Sequence, residues 1–312
     1  MLASSLTPLR VVVFDGGWNL PIWAAQKQGF FHAQGLDVVL SYTANSTDLV
    51  AGLFDGRYDI ALAGADNFVA YREGAGEVDL AGDADLILCM GGDRGFLSLV
   101  AAAGIDSVTA LRGRTIAVDA MTTGFAFVLR ELLARHGVME GDVRFERAGG
   151  TSARYDALVA GAFDATLLRT PFDLLAIEKG WQRLASADVL GPYQGTVAGV
   201  RRSWADANRA TLVAFLRAYR GGLEWCIEPG NRPDAEALLR AHVKDITPAC
   251  AATAVAELVS PDTGLMRDMR VDHLGLQTVL ELRRKYSPST GAMSTVAALV
   301  DDSFLDAALP FE

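Results

Sequence analysis

Residues 9–21 read Leu9-Arg10-Val11-Val12-Val13-Phe14-Asp15-Gly16-Gly17-Trp18-Asn19-Leu20-Pro21, and this stretch decides the fold. An apolar, β-branched run ends at Asp15-Gly16-Gly17. Trp18-Asn19-Leu20-Pro21 then opens a helical segment that stops near Gly29, and Gly35-Leu36-Asp37-Val38-Val39-Leu40 starts a second strand. Strand, helix and strand in that order predict a βαβ unit. Its first loop falls at the carboxyl edge of a parallel sheet, where open α/β sheets take their ligands. Trp18 and Asn19, next to two glycines, become the first candidate wall of a site.

The same alternation continues along the chain. Tyr42 to Asp48 is a polar turn whose Asn45 and Ser46 can cap a helix reaching about Asp55. Asp59 to Ala63 reads as a buried strand, and Gly64-Ala65-Asp66-Asn67 opens another helix. Leu86 to Met90 is a strand, followed by the glycine cluster Gly91-Gly92-Asp93-Arg94-Gly95. A new series starts at Phe96 to Val100, with a short helix over Ser107 to Leu111 and strands at Thr115 to Val118 and Val143 to Glu146. Thr122-Thr123-Gly124 leads into an amphipathic helix closed by Gly137, and Gly149 to Ser152 opens the next. Thr196 to Val200 is a last strand, and from Asp206 the pattern is helical almost to the end.

One internal echo joins the two series. Leu53-Phe54-Asp55-Gly56-Arg57-Tyr58-Asp59 and Leu158-Val159-Ala160-Gly161-Ala162-Phe163-Asp164 share the form L-x-x-G-x-aromatic-D. Each is a helix stopped by Gly and a strand opened by Asp, which predicts two lobes of similar construction.

The loops after the strands supply the remaining candidates. Gly64, Asp66 and Asn67 follow one strand, Thr122, Thr123 and Phe125 another, and Arg169 ends a third. Helix N-termini offer unpaired N–H groups and partial positive charge to an anion or an acceptor. Ordinary capping explains any single Ser or Thr; six such loops on one edge ask for more. Asp66 either receives an N–H donor or caps its helix. Arg169, at the end of an apolar strand, needs an anionic partner from a ligand or a nearby Asp. Trp18, Phe125 and Tyr193 are candidate aromatic contacts, whereas Trp23 sits within a helical pattern and is expected in the core.

Composition bounds the function classes. At 312 residues, with 51% hydrophobic and 21% charged, the chain is a globular protein too long for one core. A formal charge of −10 argues against a general nucleic-acid or membrane-surface binder. Cys89, Cys226 and Cys250 lack C-x-x-C spacing, so no metal site follows, and their pairing stays open. Met1 to Pro8 has neither a basic nor an apolar segment of a signal peptide. Four scattered histidines and the absence of G-x-S-x-G, H-E-x-x-H and G-x-G-x-x-G give no catalytic constellation and no cofactor.

Trp18 to Pro21, Ala24-Ala25-Gln26-Lys27-Gln28-Gly29-Phe30-Phe31 and Gly35 to Val38 resemble the opening of the SsuA/THI5-like (NMT1) solute-binding proteins. So do Asp59 to Leu62, Leu111-Arg112-Gly113-Arg114-Thr115 and Leu299 to Leu305. The resemblance implies an α/β, two-lobed type II periplasmic-binding-protein fold with a ligand cleft between the lobes. On this chain the lobes would be 1–92 plus 195–312 and 93–194. It further implies an extracytoplasmic receptor, expected to be monomeric, that serves the membrane permease and ATPase of an ABC importer. Closure of the lobes on a small organic ligand is expected: an organic sulfonate, an aromatic acid or a thiamine-precursor pyrimidine. A cytosolic enzyme on the same scaffold is the alternative, desulfinase-like or pyrimidine-synthase-like. The first loop carries Gly16-Gly17-Trp18-Asn19 where desulfinases have a nucleophilic Cys, and the cysteine-rich motif of the synthases is missing. A sensory module of a transcription factor would need a basic DNA-binding segment before Leu9.

Overall fold

The computed structural model describes residues 6–80, 84–287 and 294–309. The first five residues, which bear on a leader sequence, lie outside them. Among the described residues ten strands run in chain order as β1 (Thr7–Phe14), β2 (Leu36–Thr43), β3 (Ile60–Gly64), β4 (Leu86–Gly91), β5 (Leu97–Ala101), β6 (Thr115–Val118), β7 (Arg144–Arg147), β8 (Ala165–Arg169), β9 (Gln182–Ser186) and β10 (Thr196–Arg201). They form two five-stranded sheets, ordered β2-β1-β3-β10-β4 and β7-β6-β8-β5-β9. In the first lobe β1 pairs parallel with β2 and β3, and β10 runs antiparallel between β3 and β4. In the second, β6 pairs parallel with β7 and β8, and β5 runs antiparallel between β8 and β9.

The two sheets are therefore built alike, and the internal echo explains how. Asp59 accepts the backbone N–H of Arg10 at 2.8 Å and returns its own N–H to the Arg10 carbonyl at 2.8 Å. Asp164 does the same to Thr115, at 2.8 and 2.9 Å. Each Asp clips the start of one strand to its neighbour. Gly56 and Gly161, at φ 75° and 77°, end the preceding helices in the left-handed region that glycine adopts without steric penalty.

Each lobe's antiparallel strand adjoins a crossing between the lobes. The chain leaves the first sheet after Gly91 and returns at Thr196, and Asp93 ties the two passages together. Its carboxylate accepts from the N–H groups of Gly95 (2.8 Å) and Thr196 (3.2 Å). Its carbonyl accepts from Gly195 N–H (2.9 Å) and the Gln194 amide (3.2 Å). Val11, Val12 and Val13 are fully buried, since helices cover both faces of β1. Cys89, Cys226 and Cys250 are free and buried, which resolves their pairing.

Several boundaries differ from the sequence reading. The short helix expected over Ser107 to Leu111 is a 3₁₀ turn over Val108–Leu111, with Ser107 at its cap position. The C-terminal helices begin at Arg202, ahead of Asp206, with the long helix Arg209–Ile227 next. β9 carries no apolar run to signal it: it is an edge strand, exposed at Gln182 and Arg183 and half-buried from Leu184 to Ser186.

Candidate functional site

A cavity of about 360 Å³ lies between the carboxyl ends of the two sheets. The loop after β1 contributes Phe14 and Trp18, the loop after β2 Asn45 and Ser46, and the loop after β3 Gly64, Asp66 and Asn67. Opposite them, the loop after β6 contributes Asp119, Thr123 and Phe125, and the loop after β7 contributes Gly149, Gly150 and Thr151. Arg169 from the end of β8 and Tyr193 from the second crossing complete the wall. Ten of the residues singled out from the sequence thus come together: Trp18, Asn45, Ser46, Gly64, Asp66, Asn67, Thr123, Phe125, Arg169 and Tyr193. Asn19 and Thr122 do not border this cavity. Asn19 is buried beneath the first loop, its amide donating to the Phe14 carbonyl at 2.7 Å. Thr122 borders a smaller neighbouring recess with Ser46, Asp66 and Asn67. A separate depression of about 460 Å³ includes none of the predicted residues.

Local chemistry fixes the lining. Asn45 caps the helix Ser46–Phe54 by accepting Asp48 N–H at 2.8 Å. Thr123 caps the helix Gly124–Arg135 and donates its hydroxyl proton to Asp119 at 2.6 Å. Trp18 is the middle residue of a 3₁₀ turn over Gly17–Asn19 and folds back over Gly16, where any side chain would collide with its ring. The Arg169 guanidinium lies 3.8 Å from the centre of the Trp18 ring, a cation–π stack that covers part of the expected platform. Burial pushes the Tyr193 phenol up, so it stays neutral.

Asp66 requires a correction. It neither caps its helix, where Gly64 holds the cap position, nor stands free for a donor. Arg283, from the helix His273–Tyr286, grips both carboxylate oxygens at 2.7 Å, with the pair almost entirely buried. Gly124 permits this closeness between the lobes, because a Cβ there would strike the Asp66 side chain. The anion that Arg169 required is Asp93, both of whose oxygens lie 2.8 Å from Nη2.

Sequence reasoning missed four charged residues of the wall. Glu77 and Arg147 meet across the cleft mouth at 2.7 Å. Asp119 lines the cavity. Arg154 lines it as well, 2% exposed, with its guanidinium donating to the carbonyls of Gly149 (2.7 Å) and Leu167 (3.1 Å) and to the Thr151 hydroxyl (3.4 Å). Among the described residues no carboxylate lies within 4.0 Å of Arg154, and burial pushes its guanidinium down. One signal was available: a cation in the first turn of the helix Thr151–Val159 opposes the helix dipole and so asks for another reason to be there. Arg283 carried no signal, since Arg283-Arg284-Lys285 reads as ordinary C-terminal charge on a helix.

No histidine or cysteine borders the cavity among the described residues. Nor do those residues contain a metal-ligating cluster of three or more side chains, or a helix long and apolar enough to cross a membrane.

The profile of the family described as NMT1/THI5 like matches residues 19–232. No curated protein matches the chain by sequence. Solved structures are similar over nearly the whole length. The ligand-binding component of an ABC-type import system from Staphylococcus aureus, with zinc bound, superposes at TM-score 0.78 and 13% identity, covering 97% of this chain and 99% of that one. The nitrate-binding protein NrtA of Synechocystis PCC 6803 gives 0.78 and 15%, covering 97% and 88%. The alkanesulfonate-binding protein SsuA of Xanthomonas axonopodis pv. citri, bound to MOPS, gives 0.76 and 17%, covering 95% and 99%. At these identities the likeness shows the two-lobed fold.

Proposed function

The chain belongs to the NMT1/THI5-like family, and from that premise we propose that it is the solute-binding receptor of an ABC importer, not an enzyme. It holds a small organic ligand between its lobes, which divide at residues 92/93 and 194/195. It works as an extracytoplasmic monomer and delivers the ligand to a membrane permease coupled to an ATPase. Its structural neighbours, an import-system component and sulfonate- and nitrate-binding proteins, support this reading.

One observation carries it: loops from both sheets enclose the cavity, and one wall holds a deeply buried arginine with no carboxylate within 4.0 Å among the described residues. A ligand seated there touches both lobes, so it favours their closed arrangement by the contacts it gains from the second. Arg154 suits an acidic or acceptor-rich group, while Phe125 and Trp18 suit a flat or partly apolar body. Organic sulfonates, aromatic acids and substituted pyrimidines meet that description better than bare nitrate. A thermal-shift screen over those three classes, with titration calorimetry on each hit, tests the proposal. At least one class should bind with 1:1 stoichiometry; a chain that binds none of them is not such a receptor.

A further inference from the structure

Among the described residues six charged side chains line the cavity, and four of them are already neutralised. Asp66 is held by Arg283, Arg169 by Asp93, and Glu77 and Arg147 by each other. Arg154 and Asp119 remain. Neither has an ion-pair partner within 4.0 Å among the described residues, and they do not pair with each other. One oxygen of Asp119 accepts the Thr123 hydroxyl, and its other oxygen accepts no hydrogen bond from the described residues. Both side chains belong to the second lobe, on the loop after β6 and the helix after β7.

From this charge census we infer that the cavity selects a dipolar ligand, with an acidic group at Arg154 and a cationic or N–H-donating group at Asp119. This rests on the receptor reading and narrows its substrate class. The wall with its immediate partners sums to zero formal charge, so a ligand of zero net charge leaves the buried region balanced. A simple anion satisfies Arg154 but places a surplus negative charge in a desolvated space facing the Asp119 carboxylate. A simple cation meets the opposite difficulty at Arg154. Only a molecule that carries both groups offers each side chain its complement, and each hydrogen bond then made to a charged group is of the stronger kind.

The test uses matched sets on one skeleton, titrated into the intact protein. The first set is 4-(aminomethyl)benzoate, 4-methylbenzoate and 4-methylbenzylamine. The second is 3-aminopropanesulfonate, propanesulfonate and propylamine. A charge-assisted hydrogen bond contributes enough that a dipolar member should bind at least about tenfold more tightly than its matched anion and amine. D119N should bring the ratio of dipolar member to matched anion close to one, and a Glu at the same position (D119E) should keep the preference. Anions that bind as tightly as their dipolar partners overturn the inference, as does an unchanged ratio in D119N. Failure of every dipolar probe while an uncharged pyrimidine or a simple anion binds overturns it too, and leaves the receptor reading standing. If nothing binds, both fall.

Discussion

Arg154 sits 2% exposed with three hydrogen bonds to neutral oxygens and no carboxylate within 4.0 Å among the described residues. Leaving a guanidinium in that state is costly, and a protein that did not need the charge could place an apolar side chain there. Arg154→Gln should therefore weaken the best-binding probe by ~1.5–3 kcal/mol, the value of a hydrogen bond to a charged group. The unfolding free energy should change by less, because relief of desolvation offsets the lost hydrogen bonds. Calorimetry and urea unfolding measure the two quantities, and a variant that loses stability while keeping affinity would mark Arg154 as structural. Trp18 differs in kind. Its ring carries the Arg169 guanidinium at 3.8 Å, so Trp18→Ala removes cavity wall and cation–π partner together. A binding loss of at least ~1 kcal/mol is expected. Unchanged affinity for a bound probe contradicts its place in the site.

Among the elements, the helix His273–Tyr286 does something its amphipathic pattern did not announce. Arg283 holds Asp66 of the first lobe, while Lys285 and Tyr286 bond Glu131 of the helix Gly124–Arg135 in the second, at 2.6 and 2.7 Å. Burial raises the Glu131 carboxyl, but hydrogen bonds from Lys285, Tyr286 and Arg135 outweigh it and hold the group at about 2, below its ordinary 4.5. A depressed carboxylate stabilises the fold fully above its unfolded value, and that contribution is lost as pH falls through the folded one. Glu131→Gln should thus cost ~1–3 kcal/mol at pH 7, and the gap to wild type should close between about pH 4.5 and 2. Urea unfolding across that range checks the sign; a gap that widens on acidification contradicts it. The sequence disclosed elements whose burial is periodic or continuous, such as the valines of β1, and loops opened by Gly, Asn or Thr. It did not disclose β9, whose edge position leaves no apolar pattern. The partners of Asp66 and Arg169 were equally hidden, because pairing over 217 and 76 residues is set by tertiary packing and not by local spacing.

At the scale of the whole molecule, the repeated Asp clips at Asp59 and Asp164 make two similar lobes, and the Asp93 knot joins them where the chain crosses. Glu77 and Arg147 then meet across the mouth at 2.7 Å, with Arg147 largely exposed. An ion pair of that exposure is weak, so Glu77→Gln should change ligand affinity by no more than about fivefold, with even less effect in high salt. A much larger loss in titration would mean that Glu77 touches the ligand itself. The central claim is that a solute binds between the lobes. A crystal structure of the protein grown with the probe that raises its melting temperature most tests this directly. The account predicts density for that probe in the cavity between the sheets, with its acidic group within hydrogen-bonding distance of Arg154 and residues of both lobes in contact. Density confined to the outer surface, or an empty cavity in crystals saturated with a stabilising probe, would contradict it.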